Sequence, residues 1–149
     1  MNDHTTKVIS FDILFLSDQP TATTFTTETP DNTVVQGTTG TLLCSANGYP
    51  APTYTIKRGT TVVNSVGGKY DIPNVQLDQE DFTYSCQPSN NVGSGPIEPL
   101  KLTVQVPPSF TTQLPTTKQT KTENETFSYS CTADAKPAAA ILWTLKDRI

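Results

Sequence analysis

Three runs along the chain place apolar residues on alternate positions. Leu42, Cys44 and Ala46 form the first, Phe82, Tyr84 and Cys86 the second, and Leu100, Leu102, Val104 and Val106 the third. Alternate residues of a strand share one face, so each run predicts a β-strand with an inward apolar side. A fourth run, Phe127, Tyr129 and Cys131, repeats the first pattern near the end of the chain. No segment approaches the ~18–20 apolar residues of a membrane-crossing helix. The longest apolar stretch, Val8 to Leu16, is broken by Ser10 and Asp12 and makes a poor secretory signal. Residues 1–18 read as a disordered leader, a remnant of an upstream unit or a gene-model artefact.

Cys44 and Cys86 both sit on predicted inward faces. Two inward cysteines on facing sheets can bridge a core. Such a bridge stabilises by roughly 4 kcal/mol in the chain-entropy description, against a domain stability of order 5–10 kcal/mol. It persists only in an oxidising compartment. The alternative is a pair of buried free thiols in an intracellular protein. Metal binding is disfavoured, because there is no C-x-x-C pair and the one histidine is His4.

Composition points the same way. Apolar residues make up 34% and charged residues 16%, with 27 Thr and 12 Pro. β-Branched Thr suits half-exposed strands and Pro marks edges and loops. This favours an all-β module with a modest core. The 149 residues allow one full domain and a remainder, or two small domains. The net charge is −4, and Lys118 and Lys121 are interrupted by Glu123 and Glu125. That leaves no basic stripe for phosphates and disfavours nucleic-acid and membrane-surface roles.

The segments between the cysteines carry a resemblance. Gly48-Tyr49-Pro50-Ala51-Pro52 leads into Thr53-Tyr54-Thr55-Ile56-Lys57-Arg58. Tyr70–Val75 and Leu77–Cys86 follow in order, and then Cys86-Gln87-Pro88-Ser89-Asn90-Asn91-Val92-Gly93. Over about 85 residues this resembles an immunoglobulin-superfamily domain of the I-set or C2 type. The resemblance implies an all-β Greek-key sandwich over residues 19–106, with residues 47–53 (the B–C loop) and 88–97 (the F–G loop) at one end. It implies that Ile56 or Tyr54 fills the slot usually held by a core Trp. It also implies that the Tyr84 hydroxyl bonds upstream backbone as a tyrosine corner, and that Asn90 and Gly93 shape the F–G hairpin, Gly93 with a positive φ.

Val106-Pro107-Pro108-Ser109-Phe110 resembles a junction between tandem domains, after which the pattern restarts. Phe127, Tyr129 and Cys131 are expected to face inward as strand B. Ala135-Lys136-Pro137 echoes Gly48-Tyr49-Pro50, and Ile141–Asp147 is expected as strand C with Trp143 in the core. Residues 107–149 therefore read as a partial second domain that stops after strand C, leaving Cys131 unpaired.

Candidate chemistry is sparse. With no histidine beyond His4, no Ser-His or Cys-His pair can form in the folded region. Asp78, Glu80 and Asp81 read as a solvated turn, and Gly67-Gly68 and Gly93-Ser94-Gly95 as turns. Asn124-Glu125-Thr126 is an N-glycosylation triplet on an expected exposed turn. Tyr49 is a contact candidate with Asn90 and Gly93 on the loops, or else packs on Pro50 and Pro52. The expectation is a non-catalytic, cofactor-free extracellular or cell-surface module for adhesion or recognition. Its partner is a protein ligand, homophilic or heterophilic, and a membrane is reached only through a segment absent from this chain. Two rivals are an immune-type or glycan-binding domain, for which Arg58 is the one arginine within residues 19–106, and an intracellular structural repeat of the muscle type.

Overall fold

The computed structural model describes residues 17–144. The expected leader thus lies outside the described residues, apart from Ser17 and Asp18. Strand β1 (Asp18–Thr27) already starts at Asp18, one residue before the expected boundary.

β1 pairs antiparallel with β3 (Gly40–Tyr49), which pairs with β6 (Lys69–Ile72). The second sheet runs in the order β5 (Thr61–Val62), β4 (Thr53–Arg58), β7 (Thr83–Ser89), β8 (Glu98–Lys101), all antiparallel. After Leu102 the chain resumes as β9 (Thr103–Thr112). Its first residues take β2 (Thr33–Val35) as a parallel neighbour, Val34 opposite Val104. The N-terminal segment therefore serves one sheet through β1 and then, past a 3-10 turn at Pro30–Asn32, the other side through β2. This is the expected Greek-key β-sandwich.

Its interior follows the alternation in the sequence. Leu42, Ile56, Val75, Tyr84 and Val104 are fully buried, with Phe25, Ile72, Leu100 and Leu102 around them. The Cys44–Cys86 disulfide joins the two sheets, its Cα atoms 6.3 Å apart. Ile56 lies opposite Cys86 on β4 and takes the slot next to the bridge. Tyr54 is only partly buried, and its hydroxyl accepts the Ala46 N–H at 3.3 Å. Gly68 (φ +83) leaves room for β3: a Cβ there would stand 2.3 Å from the Cys44 carbonyl oxygen. The Gly68 carbonyl itself accepts the Cys44 N–H at 2.8 Å.

Tyr84 departs from expectation. Its hydroxyl donates to the Gln79 side-chain oxygen at 2.6 Å, not to backbone. The cause is local. The 3-10 turn Leu77–Asp81 buries Gln79 against the ring, and two buried polar groups satisfy each other. Burial pushes the Tyr84 phenol up to about 12.

Beyond the sandwich, β9 continues through Pro107 and Pro108. It pairs antiparallel with β10 (Thr132–Lys136), Lys136 opposite Val106 and Asp134 opposite Ser109. The register shifts across the two prolines, which cannot donate to a ladder. Tyr49–Pro50 and Lys136–Pro137 are both cis, at the same distance past Cys44 and Cys131.

Other expectations for this second repeat are corrected. Phe127 and Tyr129 precede β10 and are exposed, their rings tilted at 57° to each other with centroids 5.5 Å apart. Strand structure begins only at Thr132. Residues 141–144 are not in a strand, and the remainder of the expected strand C lies outside the described residues. Trp143 is 53% exposed and not a core residue. The physical reason is shared: the described residues supply no second sheet to cover β9 and β10. An open groove of about 500 Å³ remains, lined by Phe110, Leu114, Cys131, Ile141 and Trp143 among others. Cys131 is free and partly exposed there.

Glu80 corrects the solvated-turn expectation. One carboxylate oxygen accepts the Val104 N–H and the other pairs with the Lys136 ammonium. Glu80 thus ties the turn before β7 to both ends of the junction. The Lys136 hydrogen bond, and then the Val104 N–H, hold its carboxyl below the usual range.

Candidate functional site

The B–C and F–G loops meet at the end of the sandwich away from β10. Gly48 lets the start of the B–C loop approach β1 closely, since a Cβ there would lie 3.1 Å from Pro20 Cα. Asn90 fastens the loops. Its amide nitrogen donates to the Asp18 carbonyl at 2.7 Å and the Pro50 carbonyl at 3.0 Å. Its side-chain oxygen accepts the Val92 and Gly93 N–H groups at 3.0 and 3.1 Å. One side chain therefore pins the start of β1, the B–C loop and the F–G turn together. The Asn90 N–H to Gly93 carbonyl and Gly95 N–H to Pro88 carbonyl bonds, both 2.9 Å, close the hairpin. Thr23 donates to the Pro96 carbonyl at 3.1 Å, holding β1 alongside.

Asn90 is thus a positioning residue, with its hydrogen-bonding capacity turned inward. Gly93 is not among the residues of positive φ. What it supplies is space: a Cβ there would stand 3.2 Å from the Gln19 side-chain oxygen. Tyr49, by contrast, is 58% exposed and is not packed away on its prolines. Val92 and Ile97 are exposed on the adjoining loop. Sequence reasoning missed these two, because an apolar residue on a loop carries no periodic signal.

The electrostatics of this end are distinctive. Residues 19–27, 41–56 and 82–97 contain no charged side chain. Asp18 lies opposite Tyr49 at the border of this end, and further charge gathers at Lys57 and Arg58, Lys69 and Asp71, and on the turn holding Asp78, Glu80 and Asp81. Arg58 is occupied, its guanidinium 4.8 Å over the Phe82 ring. Among the described residues, no group of three or more His, Cys, Asp or Glu could hold a metal ion. No helix among them is long and apolar enough to cross a membrane. An exposed tyrosine, prolines, serines and asparagines on a pinned frame can recognise a surface by shape and hydrogen bonding.

The family model described as immunoglobulin domain matches residues 22–104. The chain belongs to the immunoglobulin domain family. Within that family it is similar to limbic system-associated membrane protein of Rattus norvegicus, 31% identical over 119 residues, which cover 78% of this chain and 34% of that protein. It is 28% identical over 136 residues to cell adhesion molecule Dscam1 of Drosophila melanogaster, covering 80% of this chain and 6% of the relative. The chain therefore spans about a third or less of the length of these immunoglobulin relatives. The crystal structure of the N-terminal four Ig domains of Dscam1 isoform 6.9 superposes with a TM-score of 0.50 at 22% identity, covering 69% of this chain and 28% of that one. That likeness bears on the immunoglobulin fold alone.

Proposed function

We propose that this chain is a non-catalytic extracellular recognition module, which binds a protein surface through the loop end centred on Tyr49. The observation that carries this reading is the pairing of an exposed tyrosine with a frame pinned by Asn90 and poor in charge, Asp18 opposite Tyr49 being its charged neighbour. Interface centres are depleted in charge and rich in aromatics, and a rigid frame lowers the ordering cost of binding. Similarity to a cell adhesion molecule supports adhesion as the setting. The Cys44–Cys86 disulfide supports an oxidising compartment. In this reading residues 107–149 open a second immunoglobulin-like domain. Arg58, held over Phe82 away from the loops, disfavours a glycan ligand gripped by arginine.

The test is adhesion of beads coated with the chain, to one another for a homophilic partner and to cells for a heterophilic one. Replacing Tyr49, Val92 and Ile97 by Ser should weaken adhesion at least ~30-fold, as expected for a lost hot spot of ~2 kcal/mol. Adhesion should depend only weakly on salt, because the two loops carry no charge and Asp18 beside Tyr49 is a single exposed carboxylate. Undiminished adhesion by the triple variant would sink the proposal. Finding Cys44 and Cys86 as free thiols in protein isolated with thiols blocked would favour the intracellular structural repeat instead.

A further inference from the structure

The turn that enters β10 carries a feature that recognition at the loop end does not use. Asn124-Glu125-Thr126 is the one Asn-x-Ser/Thr triplet in the sequence with a non-proline middle residue. Asn124 lies in the turn closed by the Glu125 N–H to Thr122 carbonyl bond at 3.2 Å. It adopts φ +68, a left-handed conformation that asparagine tolerates better than other side chains. Asn124 and Thr126 are both exposed, and neither side chain makes a hydrogen bond among the described residues.

The intervening glutamate is drawn away from the acceptor. Glu125 folds back to pair with Lys121 at 3.1 Å and to accept from the Thr122 N–H and hydroxyl at 3.3 and 3.2 Å. These bonds hold its carboxyl below the usual range, Lys121 contributing most. The turn thus presents a free amide and a free hydroxyl, with the Glu125 charge tied to Lys121 and the exposed Glu123 carboxylate left to solvent.

The geometry points to Asn124 as the acceptor of an N-linked oligosaccharide, a reading that rests on passage through the secretory route. The donor is an oligosaccharide linked to a lipid diphosphate. The Asn124 side-chain nitrogen forms a bond to the anomeric carbon, the bond from that carbon to the diphosphate oxygen breaks, and the lipid diphosphate leaves as the amide loses one proton. A sugar there projects from the junction, on the repeat that bears the exposed Phe127 and Tyr129 rings, while the Tyr49 end stays bare.

The experiment expresses the full chain behind a heterologous signal sequence in cultured animal cells and measures intact mass before and after peptide-N-glycosidase treatment. The secreted chain is expected to lose a glycan mass and to gain the ~1 Da of an Asn→Asp conversion at position 124. N124Q and T126A should be secreted without the shift, and T126S should retain it. Cys44–Cys86 crosslinking in the same sample reports that the chain folded in the oxidising route. A crosslinked, secreted wild-type chain with no glycan overturns the inference and leaves the extracellular reading intact. A signal that persists in N124Q overturns it equally.

Discussion

The two repeats start from similar sequence patterns and reach different states. In the first, Leu42, Cys44 and Tyr84 alternate inward and meet a facing sheet, so they are buried. In the second, Phe127, Tyr129 and Trp143 carry as much apolar surface and stay exposed. Both have a strand entering a cis X-Pro peptide, and both have a cysteine before it. The difference is whether a second layer is there to receive the side chains. An apolar face earns stability only when it is removed from water, at about 25 cal/mol per Å². Amphipathic alternation is therefore a request for a partner sheet, and the same request can be met or unmet within one chain.

Protease susceptibility should break the symmetry most strongly. Backbone over residues 113–131 is irregular and exposed, so cleavage there requires no unfolding. Cleavage within residues 19–106 requires opening a domain worth ~5 kcal/mol or more, which slows it by ~10³-fold or more. Timed digestion with mass detection should show the second segment lost first. Equal lifetimes of the two segments would contradict the comparison.

The cysteines give the next largest contrast. Replacing Cys44 and Cys86 together by Ala should lower stability to urea by about 4 kcal/mol. C131S should leave the urea midpoint unchanged, since Cys131 has no bonded partner among the described residues. A third comparison sets Ile56 against Trp143. I56A removes a fully buried side chain beside the disulfide and should cost about 3 kcal/mol. W143A should stay within ~0.5 kcal/mol despite the larger residue. A comparable loss in both variants would show that the second repeat has a core.

The smallest effect lies at the junction. Glu80 has its pKa lowered from 4.5 in the folded chain. Its pairing with Lys136 and Val104 is therefore fully present above about pH 4.5 and is lost as pH falls through the lower folded value. E80Q should lower the midpoint slightly at pH 7, and the gap should close on acidification. The exposed Lys136 side chain keeps the effect under ~1 kcal/mol. A gap that persists in acid would assign it to packing instead of charge.

The first sandwich was legible because its signals are local and redundant. Strand alternation at 82, 84 and 86 fixed which side faces inward, and Cys44 with Cys86 marked the bridge. The sequence leaves Ile56 and Tyr54 both open as stand-ins for tryptophan, and only the register opposite Cys86 selects Ile56. What stayed hidden depends on chance meetings of distant side chains. Gln79 under the Tyr84 hydroxyl, Glu80 on Lys136, and Asn90 reaching Asp18 and Pro50 are set by turn geometry and not by periodicity. The parallel pairing of β2 with β9 is equally unreadable, because three residues carry no pattern of their own. Trp143 misled for another reason: residue type predicts burial only where a covering layer exists.

Strand β9 belongs to both repeats at once. Its first residues are laced to β2 and its last to β10, with no slack between. A load applied along the chain must pass through this single ribbon. Because β2 runs parallel to it, that load shears several backbone bonds together and cannot unzip them one at a time. The β2–β9 end of the ribbon is therefore the stiff one, while the antiparallel β9–β10 pair, with Lys136 beside Val106, yields one bond at a time from that end.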